Sequence, residues 1–254
     1  MTVHDIRFPG ESEEYRRERD RLLSAEVELR QAIERVAAQR RTLPPGGTVP
    51  ENYRFEAPEG EEVRFSDLFS LGKDTLVIYN FMFPRYSGDT RPPAAKGETT
   101  VWPLTETPCP SCTSILDGLN GAAPHLTQRV NLAVVAKSDP GRIGAFAQER
   151  GWHNLQLLSS RHNNYNRDYH AETAGGEQLP ILNVFVREAE HIRHFWASEL
   201  LFAKGPEGEE TRHVDLIWPI WHVLDMTPAG RGDASNFPGL DYLPQTRTLS
   251  RPRF

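Results

Sequence analysis

The only two cysteines of this chain stand two residues apart, in Cys109-Pro110-Ser111-Cys112. Two thiols at that spacing can close to a disulfide and reopen, and the residues around them predict a helix that starts there. A cysteine at a helix N-terminus faces unpaired backbone N–H groups and the positive end of the macrodipole, both of which favour thiolate over thiol. Pro110 suits the first helical position, where it has no N–H to lose and its fixed φ already fits a helix. The pattern predicts Cys109 as an exposed nucleophile at the helix mouth and Cys112, one turn inside, as its resolving partner.

Three other uses of the pair compete. A CxxC can be half of a zinc site, but structural zinc usually takes four protein ligands, and neither a second CxxC nor an HxxxH follows. A peroxidatic cysteine would sit in a Pro-x-x-x-Thr-x-x-Cys run. Here the positions seven and three before Cys109 are Trp102 and Glu106, with Pro103 and Thr105 each one residue out of register. The third use is none: two cysteines that merely fill space.

The cysteines must be delivered by something. Thr75-Leu76-Val77-Ile78-Tyr79-Asn80-Phe81-Met82-Phe83 is a continuous apolar run whose length and β-rich composition predict a central strand buried on both faces. From Pro84 to Pro108 the chain is rich in Pro, Gly and Thr, and is expected to be a long loop, a lid or rim over the cysteines with Trp102 as an anchor and substrate contact. After Cys112 a helix is expected through Ile115, Leu116 and Leu119, broken near Gly121 and Pro124. Val130–Ala136 predicts a second buried strand, Asp139-Pro140 caps the next helix, and Leu155–Leu158 predicts a third strand. Alternating strands and helices imply parallel pairing with right-handed crossovers. Leu179-Pro180 then precedes Ile181–Arg187, which returns through Glu188-Ala189-Glu190 as His191–Trp196, an antiparallel hairpin. His191 and His194 are three apart in that strand, so they point to opposite faces and make a poor metal pair. A last helical pattern covers roughly Val214 to Leu224, kinked or restarted at Pro219.

Residues 1–47 read as an N-terminal extension dominated by an amphipathic helix from about Glu13 to Arg41, with Leu22, Ala25, Leu29, Ala32, Ile33 and Val36 on one stripe. Its charges balance, eight acidic against eight basic between Glu11 and Arg41. The stripe is expected to pack on its own domain, a homodimer seam being its other use. Pro44-Pro45-Gly46-Gly47 marks the boundary to a domain over 48–230, and residues 231–254 form a polar, Pro-punctuated tail. The net charge of −6 in 254 residues argues against a nucleic-acid surface. No apolar run approaches a membrane span, and the charged start has no secretory h-region. On these features the chain is expected to be cytoplasmic, and in that compartment a CxxC is more often catalytic or redox-sensing than a structural staple.

This order, with CxxC after a central strand and a proline before the hairpin, resembles the thioredoxin fold: an α/β class with a mixed central sheet flanked by helices. Pro180 matches that fold's cis-proline position, with an ordinary strand-start proline as the alternative. The resemblance implies a cis Leu179–Pro180 bond beside the reactive sulfur, and a Leu179 backbone that pairs with a bound peptide or mixed disulfide. A closer resemblance rests on Arg40-Arg41-Thr42-Leu43-Pro44, on Asn80-Phe81-Met82-Phe83, and on the CPSC run followed by Asp117-Gly118-Leu119-Asn120-Gly121. Gly151-Trp152, Ser159-Ser160 with Asn163–Tyr169, and Leu224-Asp225-Met226-Thr227-Pro228-Ala229-Gly230-Arg231 extend it. Over roughly Tyr15 to Arg231 the chain is similar to the bacterial thioredoxin-like family catalogued as a domain of unknown function and described as predicted dithiol-disulfide oxidoreductases. The loop 84–108 is longer than that family's, and the tail is extra.

The resemblance implies fold and reaction class, a thiol-disulfide oxidoreductase, with no substrate attached. The residues expected at the site are Cys109 and Cys112 as catalytic residues and Leu179, Pro180, Pro110, Ser111 and Trp102 at the substrate; a protein or small-molecule disulfide or thiol and an external reductant are the expected partners, with neither metal nor other cofactor. A non-catalytic thioredoxin-like binding module and a thiol peroxidase are the alternatives. The tract Asn163–Tyr169, with His162 or His170, is a candidate rim and proton donor, or else a loop held by side-chain capping.

Overall fold

The computed structural model describes residues 4–94, 97–204 and 212–231 of the chain. The expected C-terminal tail lies, from residue 232 on, outside the described residues. Contacts divide the chain into two units, 1–46 and 47–254.

The first unit is built around helix α1 (Glu13–Arg41). Ser12 caps it by accepting from the Tyr15 N–H, and Glu13 and Glu14 in the first turn and Arg40 and Arg41 in the last complement the macrodipole. Its one buried residue is Arg16, which donates to the Ile6 carbonyl and lies 3.2 Å from Asp20. Leu22, Leu29, Ile33 and Val36 are exposed.

The second unit is a seven-stranded mixed sheet. In chain order its strands are β1 (Arg54–Glu56), β2 (Glu62–Arg64), β3 (Thr75–Asn80), β4 (Asn131–Ala136), β5 (Gln156–Ser159), β6 (Leu182–Glu188) and β7 (His191–Ala197). Across the sheet they run β2-β1-β5-β4-β3-β6-β7. β3, β4 and β5 are parallel, while β6 is antiparallel to β3 and β7 to β6. The helices between them are α2 (Pro110–Leu126), α3 (Pro140–Arg150), the short α4 (Tyr165–Asp168) and α5 (Pro219–Asp225). Strand, CxxC helix, parallel strand, antiparallel hairpin and closing helix form the thioredoxin-like arrangement.

Period-two alternation along β3 sends Tyr79 to the face covered by α2 and α3, joined there by Phe81, and sends Leu76 and Ile78 to the other. On the first face Phe81, Phe83, Phe146 and Trp152 meet mostly edge to face at 5.5–6.4 Å. Tyr53, Phe55, Phe65, Tyr165 and Phe185 fill the second.

One local expectation is corrected and two are resolved between their alternatives. α2 does not break at Gly121 and Pro124: it runs on to Leu126, and the Asn120 carbonyl that Pro124 leaves without its helical donor accepts from Asn154 Nδ2 at 3.1 Å. The segment before α5 is a 3-10 turn, Asp215–Ile217, and the α-helix restarts with Pro219 at its first position. The Asn163–Tyr169 tract is framework on the second core face: Asn163 caps Tyr165 and donates to the Arg54 carbonyl, while Tyr165 is fully buried against Phe55 at 5.4 Å. Among the described residues no helix is long and apolar enough to cross a membrane.

Candidate functional site

β3 ends at Asn80 and the chain continues through Phe81-Met82-Phe83 into the long segment that returns as Cys109. The two ends are stitched: Cys109 N–H donates to the Met82 carbonyl at 3.0 Å, and Arg85 N–H to the Thr107 carbonyl at 2.9 Å. The Arg85 guanidinium is buried inside the segment and forks to the carbonyls of Arg91 (2.6 Å) and Pro108 (3.0 Å), with Asp89 3.8 Å away. The segment is also tied to α3, by Thr99 Oγ1 to Glu149 at 2.5 Å, Arg142 to Glu106 at 2.5 Å, and Arg150 to the Ala94 carbonyl at 3.0 Å.

Cys109 caps α2 in extended conformation (φ −63°, ψ 126°) with Pro110 at the first helical position, as the sequence predicts. The expected exposure is wrong. Cys109 is only 4% exposed, and Cys112 is buried too. The reason is the fold of loop 84–108, which the fork of Arg85 holds close around the head of the helix. Both cysteines are free thiols.

The sulfurs open on a cavity of about 380 Å³ whose wall includes Tyr79, Met82, Arg91, Ser111, Pro180 and Trp218. Arg91 donates to both carboxylate oxygens of Asp89 through one guanidinium edge, Nε at 2.8 Å and Nη2 at 2.6 Å. It donates to Ser111 Oγ at 2.7 Å and stands 3.7 Å from the Cys109 sulfur. His213 reaches the Pro180 carbonyl at 2.7 Å, and Trp218 donates to Ser114 of α2 at 3.1 Å.

The two thiols are electrostatically unlike. Cys109 is pushed down to about 6, first by the hydrogen bond its sulfur accepts from Cys112; the Cys112 backbone N–H and the Arg91 guanidinium act the same way, against burial and the Asp89 charge. Cys112 is pushed up by burial and by the proton it shares with Cys109. Tyr79 is pushed up by burial and by the adjacent Cys112.

Of the residues expected at the site, Cys109, Cys112, Ser111 and Pro180 meet at this cavity. Pro110 is buried at the helix start. Leu179–Pro180 is trans, the one cis bond among the described residues being Phe83–Pro84, so the expected cis geometry is corrected. The Leu179 N–H already donates to the Ala171 carbonyl at 2.8 Å, which leaves that donor unavailable to a bound peptide. Trp102 stacks on Phe83 at 5.9 Å under the Arg142 guanidinium; it anchors the loop and does not line the cavity. His125 lies exposed in the last turn of α2. Among the described residues no three His, Cys, Asp or Glu side chains converge as a metal set.

Arg85, Asp89, Arg91 and Tyr79 were not singled out from the sequence. The arginines sit in a segment without periodicity, so nothing in their spacing marks them. Tyr79 carried a signal, since strand alternation puts it on one face with Phe81, toward the CxxC helix.

The chain matches the family described as bacterial protein of unknown function (DUF899) over residues 5–242. It belongs to that family. No curated protein matches it. Among solved structures it is similar to a hypothetical protein from Sinorhizobium meliloti (16% identity, 69% of this chain and 81% of that one, TM-score 0.41). It is also similar to a peroxiredoxin-like protein from Aquifex aeolicus (13%, 61% and 75%, TM-score 0.40) and to peroxiredoxin Q from Xanthomonas campestris (13%, 70% and 96%, TM-score 0.42).

The asymmetry of this DUF899 pair has a measurable pH signature. Alkylation of Cys109 should rise with pH through a midpoint of about 6 and then level off, while Cys112 stays unlabelled in the native protein. Arg91→Met should lower the Cys109 rate at pH 6 roughly five- to tenfold by moving that midpoint up; an unchanged midpoint would remove Arg91 from the site. Stability follows with a definite sign. Between about pH 6 and the ordinary thiol range near 8.5, the unfolded chain keeps the Cys109 proton and the native state does not. Unfolding therefore takes up a proton, and the stability of the reduced protein rises with pH across that window and is lost as pH falls through about 6. Cys112 acts with the opposite sign above the window, because burial keeps it protonated in the native state. The stability difference between wild type and Cys109→Ser, measured by denaturant unfolding at each pH, isolates the first effect; a difference that does not change with pH counts against it.

Proposed function

We propose that this protein is a thiol-disulfide oxidoreductase working through the Cys109/Cys112 couple. The observation that carries this reading is two free thiols at one helix head that face one cavity, with Arg91 3.7 Å from the Cys109 sulfur; the shared hydrogen bond pushes Cys109 toward thiolate and burial keeps Cys112 protonated. The Cys109 thiolate attacks one sulfur of a substrate disulfide, forming a mixed disulfide and expelling one thiolate. Cys112 then attacks the Cys109 sulfur, the second substrate thiol leaves with the Cys112 proton, and the two enzyme thiols have delivered two electrons. An external dithiol restores the pair, and no metal or other cofactor takes part. Because Cys109 is buried in the wall of a cavity of about 380 Å³ with mainly apolar lining, the substrate is a small-molecule disulfide or a single extended segment of a protein. A couple that needs continual re-reduction suits the cytoplasm.

The test is equilibration of the chain in glutathione or dithiothreitol buffers of graded potential, with the state of both cysteines read by alkylation and mass spectrometry. One two-electron transition is expected, and its potential sets the direction of use. Cysteines that stay thiols in every buffer would overturn the oxidoreductase reading in favour of a binding role.

A further inference from the structure

The phenol of Tyr79 is unexplained by packing. Its side chain is 0% exposed, and its hydroxyl has no hydrogen-bond partner among the described residues. A buried hydroxyl left in that state costs stability that phenylalanine would not, and its neighbours on the same core face, Phe81, Phe83 and Phe146, are phenylalanines. Strand parity points Tyr79 at α2, and it shares the cavity wall with both sulfurs. It is Cys112 that Tyr79 meets: the two groups perturb one another, the thiol raising the phenol and the phenol lowering the thiol.

We propose that Tyr79 is a third member of the redox site, donating its O–H to the Cys112 sulfur as that sulfur becomes a thiolate and resolves the mixed disulfide. The inference rests on the oxidoreductase reading above. In the resolving step the Cys112 S–H bond breaks and a Cys112–Cys109 S–S bond forms. The bond from the Cys109 sulfur to the substrate sulfur breaks, and the departing thiolate takes the Cys112 proton. Negative charge develops on a Cys112 sulfur that is buried at the cavity wall, where a fixed donor stabilises it more than it would in open water. Tyr79 keeps its own proton throughout, because burial and the adjacent thiol hold it neutral. In the reduced resting state the Cys112 proton is directed to Cys109, and the phenol stands within reach of the Cys112 sulfur without a well-formed hydrogen bond.

The two steps separate with an aryl disulfide that releases a coloured thiolate, 5,5′-dithiobis(2-nitrobenzoate). The first release reports attack by Cys109 and the second reports resolution by Cys112. In Tyr79→Phe the first release and the alkylation midpoint of Cys109 near 6 should match wild type. The second release should slow about ten- to a hundredfold, with its pH midpoint moved up. A second release at the wild-type rate and midpoint would overturn the assignment. If Tyr79→Phe does not fold, a difluorotyrosine at position 79, a stronger donor of nearly the same shape, should move the midpoint of the second release down. An unmoved midpoint overturns the proposal equally. A wild-type chain that gives the first release and never the second removes the dithiol reading itself, an outcome distinct from a resolving wild type with an indifferent Tyr79→Phe.

Discussion

Cys109→Ser should reduce disulfide exchange by at least about a thousandfold, because the hydroxyl that replaces the thiol stays protonated and is a poor nucleophile toward sulfur. Cys112→Ser should do something different. The first attack proceeds, since Cys109 still heads α2 with Arg91 3.7 Å from its sulfur, but the mixed disulfide cannot be resolved and accumulates to one equivalent. The Cys109 midpoint should also move up from about 6 in Cys112→Ser, as the hydrogen bond from the Cys112 thiol is the largest influence holding it down. Single-turnover kinetics with mass spectrometry of the trapped adduct check all three statements. Equal activity of Cys109→Ser and wild type would end the assignment of the nucleophile, and an adduct on Cys112 in place of Cys109 would reverse the two roles.

The second large effect is expected at Arg85, which touches no sulfur. Its side chain is 0% exposed, and burial pushes its pKa down even with Asp89 alongside. Arg85→Met removes the donors to the Arg91 and Pro108 carbonyls and leaves Asp89 with Arg91 as its remaining cation. Losing one partner of a buried charged network costs about 3–5 kcal/mol. Arg85→Lys should recover little of it, because one ammonium cannot reproduce the planar fork that reaches two carbonyls. Denaturant unfolding of the reduced protein measures the loss, and a change under about 1 kcal/mol would show that the loop does not depend on this residue. Both carbonyls belong to the segment that places Arg91 and Cys109. The Cys109 alkylation midpoint should therefore move up in Arg85→Met wherever the variant remains folded.

Much of the framework was legible because it depends on local rules. The apolar run at Thr75, the cap at Asp139, and the hairpin turn at Glu188-Ala189-Glu190 are set by periodicity and capping, which act within a few residues. Local rules misled where a distant partner supplied what they assume missing. The break expected at Pro124 did not occur because Asn154, on another element, takes the orphaned carbonyl. By local rules the Asn163–Tyr169 tract is open between a polar rim and a capped loop, and distant partners decide for the second: Tyr53 donates to Asp168 and Asn166 accepts from Ser160, so its polar groups serve the core under β1.

By itself, the sequence determined where the two sulfurs sit along the chain: one turn apart, at the start of a helix that follows a buried strand. Helix geometry and proline stereochemistry are enough for that, since both act over a single turn. What only the tertiary structure decided is how different the two sulfurs are and what surrounds them. The burial of Cys109, the Asp89–Arg91 pair beside it and the unpartnered Tyr79 hydroxyl behind Cys112 arise where loop 84–108 closes over the end of β3. That closure depends on a buried guanidinium reaching two carbonyls 6 and 23 residues away, and no spacing rule marks contacts of that kind in an aperiodic loop.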